Sequence, residues 1–108
     1  MAAEAAIQKR SIAFAKSLGA ESIRMVFRSG VARGWPDVLF LVPGGRPLFI
    51  EFKKPGALPT PLQAHRISAM EALGYDVCVA DSFDKARAAI ARAVGRAQLS
   101  AQSRPVPR

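Results

Sequence analysis

The segment "DVLFLVPGGRPLFIEFK", residues 37–53, constrains this chain more than any other stretch. Two apolar, β-rich runs flank Pro43-Gly44-Gly45, so the segment reads as a β-hairpin. Both runs are apolar on both faces, which implies a sheet covered by helices on each side, at least in part. Counting outward from the turn sets Val42 opposite Arg46, Leu39 opposite Phe49 and Asp37 opposite Glu51. Directly opposed residues have Cβ atoms about 4.5–5.5 Å apart on one face. Lys53 shares the parity of Glu51 and follows roughly 7 Å further along. The hairpin therefore gathers two acids and a base at its open end. In apolar surroundings such charges persist when they are paired or bind something.

The flanking sequence supplies the rest of an α/β domain. Ile7, Phe14 and Leu18 recur at helical spacing from Glu4 to Leu18, and Gly19 is a natural stop. A strand is expected over 22–28, then a loop rich in Gly and Arg over 29–36. After the hairpin, "PGALPTPLQ" ends in a helix start: Thr60 as N-cap, Pro61 at the first helical position and Gln63 completing a capping box. That helix is expected to reach about Leu73 and to end at Gly74. "YDVCVA" reads as another strand, and Asp81 or Ser82 caps a last helix over 83–98, whose stripe Ala86, Ile90 and Val94 is packing surface. The order predicts an α/β fold, a mixed sheet of about four strands flanked by helices. One domain is expected over 1–98, and the basic, proline-containing segment 99–108 reads as a disordered tail.

With 108 residues there is room for one modest core. A net charge of +8, from 16 Lys and Arg against 8 Asp and Glu, points to a polyanionic partner, most simply nucleic acid. No apolar run is long enough to span a membrane, and the start of the chain does not read as a secretory signal. The single cysteine, Cys78, excludes an intrachain disulfide and a multi-cysteine zinc site, and reads as a buried strand residue of a cytoplasmic protein.

Two facing carboxylates at about 5 Å repel by roughly 3 kcal/mol at an effective dielectric near 20. The pair must hold a proton, splay into water or recruit a cation. Lys53 relieves part of the repulsion; a divalent ion relieves more, and hard oxygen ligands suit Mg²⁺ or Mn²⁺. A metal on Asp37 and Glu51 with a lysine beside it suits phosphodiester hydrolysis. The plain alternative is a Glu51–Lys53 surface salt bridge with Asp37 merely opening a strand.

"GWPD", residues 34–37, followed across the turn by "EFK", residues 51–53, resembles the PD-(D/E)xK nuclease superfamily. The continuation "KPGALPTPLQ...LGYDVCVADS" is similar to its virus-type replication-repair nuclease (VRR-NUC) branch, the likeness running from about Gly34 to Ser82. The resemblance implies a restriction-endonuclease-like sheet and Mg²⁺ or Mn²⁺ held by Asp37, Glu51 and the Phe52 carbonyl. It implies Lys53 orienting or activating water and Gln63 as the polar residue on the following helix. The superfamily's use of a first-helix acid makes Glu4 a candidate supplementary ligand. The implied activity is a metal-dependent, structure-specific DNA endonuclease of stand-alone viral or phage type, resembling junction-resolving homodimers. A non-catalytic nucleic-acid-binding protein with the same fold is the alternative. Arg28, Arg33, Lys54 and Arg66 flank the set and are the expected substrate contacts. Trp35 is expected to pack beside the core or to stack on an exposed base. His65, two residues beyond Gln63, falls on another side of its helix.

Overall fold

The computed structural model describes residues 3–25 and 34–103, with side chains to residue 96. Helix α1 (Ala3–Ser17) leads into β1 (Glu21–Arg24), and the hairpin follows as β2 (Val38–Leu41) and β3 (Pro47–Phe52). Then come α2 (Pro61–Ala72), β4 (Asp76–Ala80) and α3 (Phe83–Ser103). The strands lie side by side in sequence order; β1–β2 and β2–β3 are antiparallel and β3–β4 is parallel, with α2 as the crossover. This is the mixed four-stranded α/β arrangement the sequence led us to expect.

The hairpin register is the one counted from the turn: Leu39 pairs with Phe49 and Val38 with Ile50. Gly45 N–H bonds the Val42 carbonyl at 3.1 Å across Pro43 and Gly44, whose φ is 102°. Proline then glycine at the two central positions is the chemistry of a type II turn, in which glycine takes the positive φ. Helix α2 also begins as expected, with a complete Thr60/Gln63 capping box and Pro61 at its first position. It ends with Leu73 as C-cap and Gly74 at φ 92°.

The core lies on one face of the sheet. Val38, Phe40, Leu48, Ile50 and Phe52 bury against Ala15 of α1 and Ala86, Ala89, Ile90 and Val94 of α3. Ser11 sits wholly buried in α1, its hydroxyl donating to the Ile7 carbonyl at 2.7 Å. The opposite face is less covered than its apolar sequence implies. Helix α2 packs against β4, and Ile23, Leu41 and Tyr75 stay nearly half exposed at 46%, 47% and 46%.

Three local expectations shift. Strand β1 is described only as far as Arg24, and the remainder of the expected strand, 26–28, lies outside the described residues, as do 29–33. Helix α3 runs to Ser103 instead of ending near Gln98. Leu99–Ser103 contains neither Gly nor Pro to break the helix. Residues 104–108 of the expected tail lie outside the described residues. Cys78 does lie on a strand, but β4 is an edge strand, so the thiol is only half buried.

Candidate active site

The open end of the hairpin brings three elements together. Pro36 is fully buried and Asp37 follows it, immediately before β2. The Asp37 carbonyl accepts from Met25 N–H at 2.7 Å, tying this point to the end of β1. Its carboxylate Oδ2 accepts from Phe52 N–H at 2.8 Å. The side chain thus bridges to β3, one step beyond the last ladder pair.

Glu51 is on β3, facing away from the apolar core, yet only 2% of it is exposed. Its Oε1 accepts from Gln63 Nε2 at 3.2 Å, while Oε2 is buried without a hydrogen-bond partner among the described residues. Burial first, then the adjacent Asp37 carboxyl, pushes the Glu51 carboxyl up to about 8; Lys53 opposes the rise and Glu4 adds to it. An elevated carboxyl beside a second acid means that the pair keeps a proton near neutral pH unless a cation replaces it. Adjacent acids with one buried, unpartnered oxygen are a donor set that a hard divalent ion fits.

Lys53 comes next on β3's path, half exposed, with its backbone N–H on the Ala80 carbonyl at 2.9 Å. Among the described residues it makes no ion pair, so the plain Glu51–Lys53 salt bridge is not formed. Its charge still reaches Glu51. Lys54 is exposed beside it, and the loop that follows is pinned when Gly56 N–H donates to Asp81 Oδ2 at 3.0 Å.

Gln63 divides its amide between two tasks. Oε1 accepts from Thr60 N–H at 2.9 Å and completes the capping box, while Nε2 faces Glu51. The cap fixes the side chain's rotamer, and the rotamer aims the donor. His65 is exposed. Glu4 lies exposed in the first turn of α1 and influences Glu51 through charge; among the described residues no three His, Cys, Asp or Glu side chains come together. Arg28 and Arg33 lie outside the described residues. Arg66 sits over the Trp35 ring, its Cζ 4.6 Å from the ring centroid. The sequence marks both residues singly but not as a pair, because they meet only through the packing of the 34–37 loop on α2.

A groove of about 380 Å³ opens at the other end of β4, lined by residues including Tyr75, Cys78, Arg92 and Arg96. Desolvation there raises the Cys78 thiol above its ordinary pKa, against the pull of Arg92 and Lys85. It holds none of the converging acids.

The VRR-NUC domain family model matches residues 2–84. "Putative nuclease p44" of Acyrthosiphon pisum secondary endosymbiont phage 1 is 38% identical over 81 residues, covering 75% of this chain and 85% of that one. A solved structure described as a VRR_NUC domain superposes with a TM-score of 0.76 at 25% identity, over 84% of this chain and 97% of the other. A second, described as a VRR_NUC domain protein, gives 0.69 at 24% identity over 85% and 88%, a likeness of fold.

Proposed function

Because the chain belongs to the VRR-NUC domain family, we propose that it is a metal-dependent, structure-specific DNA endonuclease whose catalytic residues are Asp37, Glu51, Lys53 and Gln63. The observation that carries this reading is the buried Glu51 carboxyl, raised to about 8 beside Asp37, with Oε2 unpartnered. Glu51 itself is buried and, among the described residues, forms no salt bridge, so its repulsion with Asp37 is left for a proton or a cation to relieve.

Asp37, Glu51 and the Phe52 carbonyl would hold Mg²⁺ or Mn²⁺. The ion would supply charge neutralisation at the scissile phosphate and acidify a water. Gln63 holds Oε1 of Glu51, which leaves Oε2 as the oxygen available for binding. Phe52 N–H holds Oδ2 of Asp37 in the same way. Lys53, just past β3 and with no ion pair among the described residues, orients the attacking water and stabilises charge on the phosphate. Glu4 takes no direct part in this account; it acts as a longer-range charge. Lys54 and Arg66, with Arg28 and Arg33, contact the DNA backbone, and the +8 net charge draws the polyanion toward an acidic centre.

Branched DNA is the proposed substrate and a homodimer the proposed working form, acting inside the cell. The half-exposed apolar residues of the open sheet face support dimerisation. Two active sites related by a two-fold axis suit symmetric cleavage of a junction.

The test is a cleavage panel of four-way junction, flap, duplex and single-stranded DNA with Mg²⁺, Mn²⁺ or EDTA. Metal-dependent cutting that disappears in Lys53→Ala is the expected result. Binding without cutting under every metal would leave a non-catalytic nucleic-acid-binding protein.

A further inference from the structure

Beside the carboxylates, the loop 34–37 is docked on α2 with unusual closeness. Gly34 has φ 87°, and a Cβ placed there would meet Leu62 Cγ at 2.7 Å and Arg66 Cγ at 3.2 Å. Trp35 follows Gly34, half buried, and its ring lies under the Arg66 guanidinium at 4.6 Å. The Nε of Arg66 is buried with no hydrogen-bond partner among the described residues, and no acid there pairs with this cation. An arginine whose stem is packed, whose Nε is covered and whose Cζ lies over an indole has lost most of its conformational freedom before meeting a ligand. Such a group is ready for an anion that presents two oxygens, because the terminal amino groups of guanidinium form a fork that fits a phosphate. Arg66 is three residues beyond Gln63 on α2, and Gln63 holds Glu51. A phosphate on that fork would therefore lie beside the reacting centre, not in it.

We propose that Arg66 binds a non-scissile backbone phosphate of the strand being cut, and that Trp35 is the positioning residue that fixes the plane of its guanidinium. This rests on the DNA reading of the site and deepens it: the Trp35–Arg66 pair sets the register of the DNA over Asp37 and Glu51. Gly34 permits the pair by letting the loop approach α2.

Fluorescence anisotropy of a labelled four-way junction in EDTA reads binding without cleavage, so its outcome does not depend on whether the chain hydrolyses DNA. Arg66→Ala is expected to bind about tenfold more weakly, with the slope of log K against log salt shallower by about 0.9, one phosphate's share. Arg66→Lys keeps the slope but recovers only part of the affinity, because an ammonium has no plane to stack or fork to offer. Trp35→Phe binds close to wild type; Trp35→Leu binds about threefold more weakly at a similar slope. Thermal melting of each variant accompanies the titrations. Wild-type affinity and slope in Arg66→Ala, or full affinity in Arg66→Lys, would overturn the phosphate fork. Wild-type affinity in Trp35→Leu would overturn the positioning role. If Arg66→Ala does not fold, the lysine and Trp35 variants decide alone. A wild type without salt-dependent binding would sink this inference together with the DNA reading, whereas binding without cleavage would sink only the latter's catalytic part.

Discussion

Glu51 is where residue chemistry and fold stability pull in opposite directions. An acid whose folded pKa stands above its unfolded value stabilises the fold while protonated; that contribution is complete below about 4.5 and is lost as pH rises toward about 8. Without metal, the melting temperature of wild type relative to Glu51→Gln should therefore fall as the buffer moves from pH 5 to pH 8.5. At pH 8.5 we expect Glu51→Gln to be the more stable protein, by about 1 kcal/mol or more, since the amide keeps an acceptor for Gln63 and offers Asp37 a donor. It should at the same time lose cleavage. Mg²⁺ or Mn²⁺ should raise the wild-type melting temperature more at pH 8.5 than at pH 5 and leave that of Glu51→Gln little changed. A stabilisation equal at both pH values would argue that the ion binds elsewhere.

At the scale of elements, α2 is the part that turns a hairpin with two acids into a site. Gln63→Glu retains the oxygen that accepts from Thr60 N–H but replaces the donor facing Glu51 with a third carboxylate. Chemical denaturation at pH 8 should show a loss of about 1–3 kcal/mol, smaller at pH 5. Gly34→Ala should cost about 1–3 kcal/mol through strained backbone and the clash with Leu62, lifting the Asp37 loop from the helix. Much of this layer could be read in advance because its determinants are local. Pro43-Gly44-Gly45 specify the turn, and the turn sets the register that aligns Asp37 with Glu51. Thr60, Pro61 and Gln63 likewise specify where α2 begins. What could not be read depends on packing between distant segments. Nothing in the sequence near Arg66 says that Trp35 lies beneath it, and although helical spacing turns Gln63 toward the sheet, it does not name Glu51 as the partner. How far each sheet face is covered stayed open for the same reason, since apolar residues on two faces look alike whether helices cover both fully or in part.

For the whole molecule, the uneven covering of the sheet has a measurable outcome. One face is sealed by α1 and α3, and the other leaves Ile23, Leu41 and Tyr75 half in water. Light scattering after size exclusion should report a dimer. Leu41→Glu, which places a charge on that face without touching the core, should shift it toward monomer at an unchanged far-ultraviolet spectrum. A dimer indifferent to Leu41→Glu would locate the contact elsewhere. The parallel β3–β4 pairing carries a different consequence, one of timing. The hairpin can form as soon as Phe52 has left the ribosome, but α2 is a crossover whose place is set by β4, and the Lys53 backbone is anchored on Ala80. During synthesis the two acids meet early, and the lysine and glutamine are fixed only after residue 80 emerges. Until β4 has emerged, a nascent chain therefore carries the two acids without the fixed lysine and glutamine that complete the set.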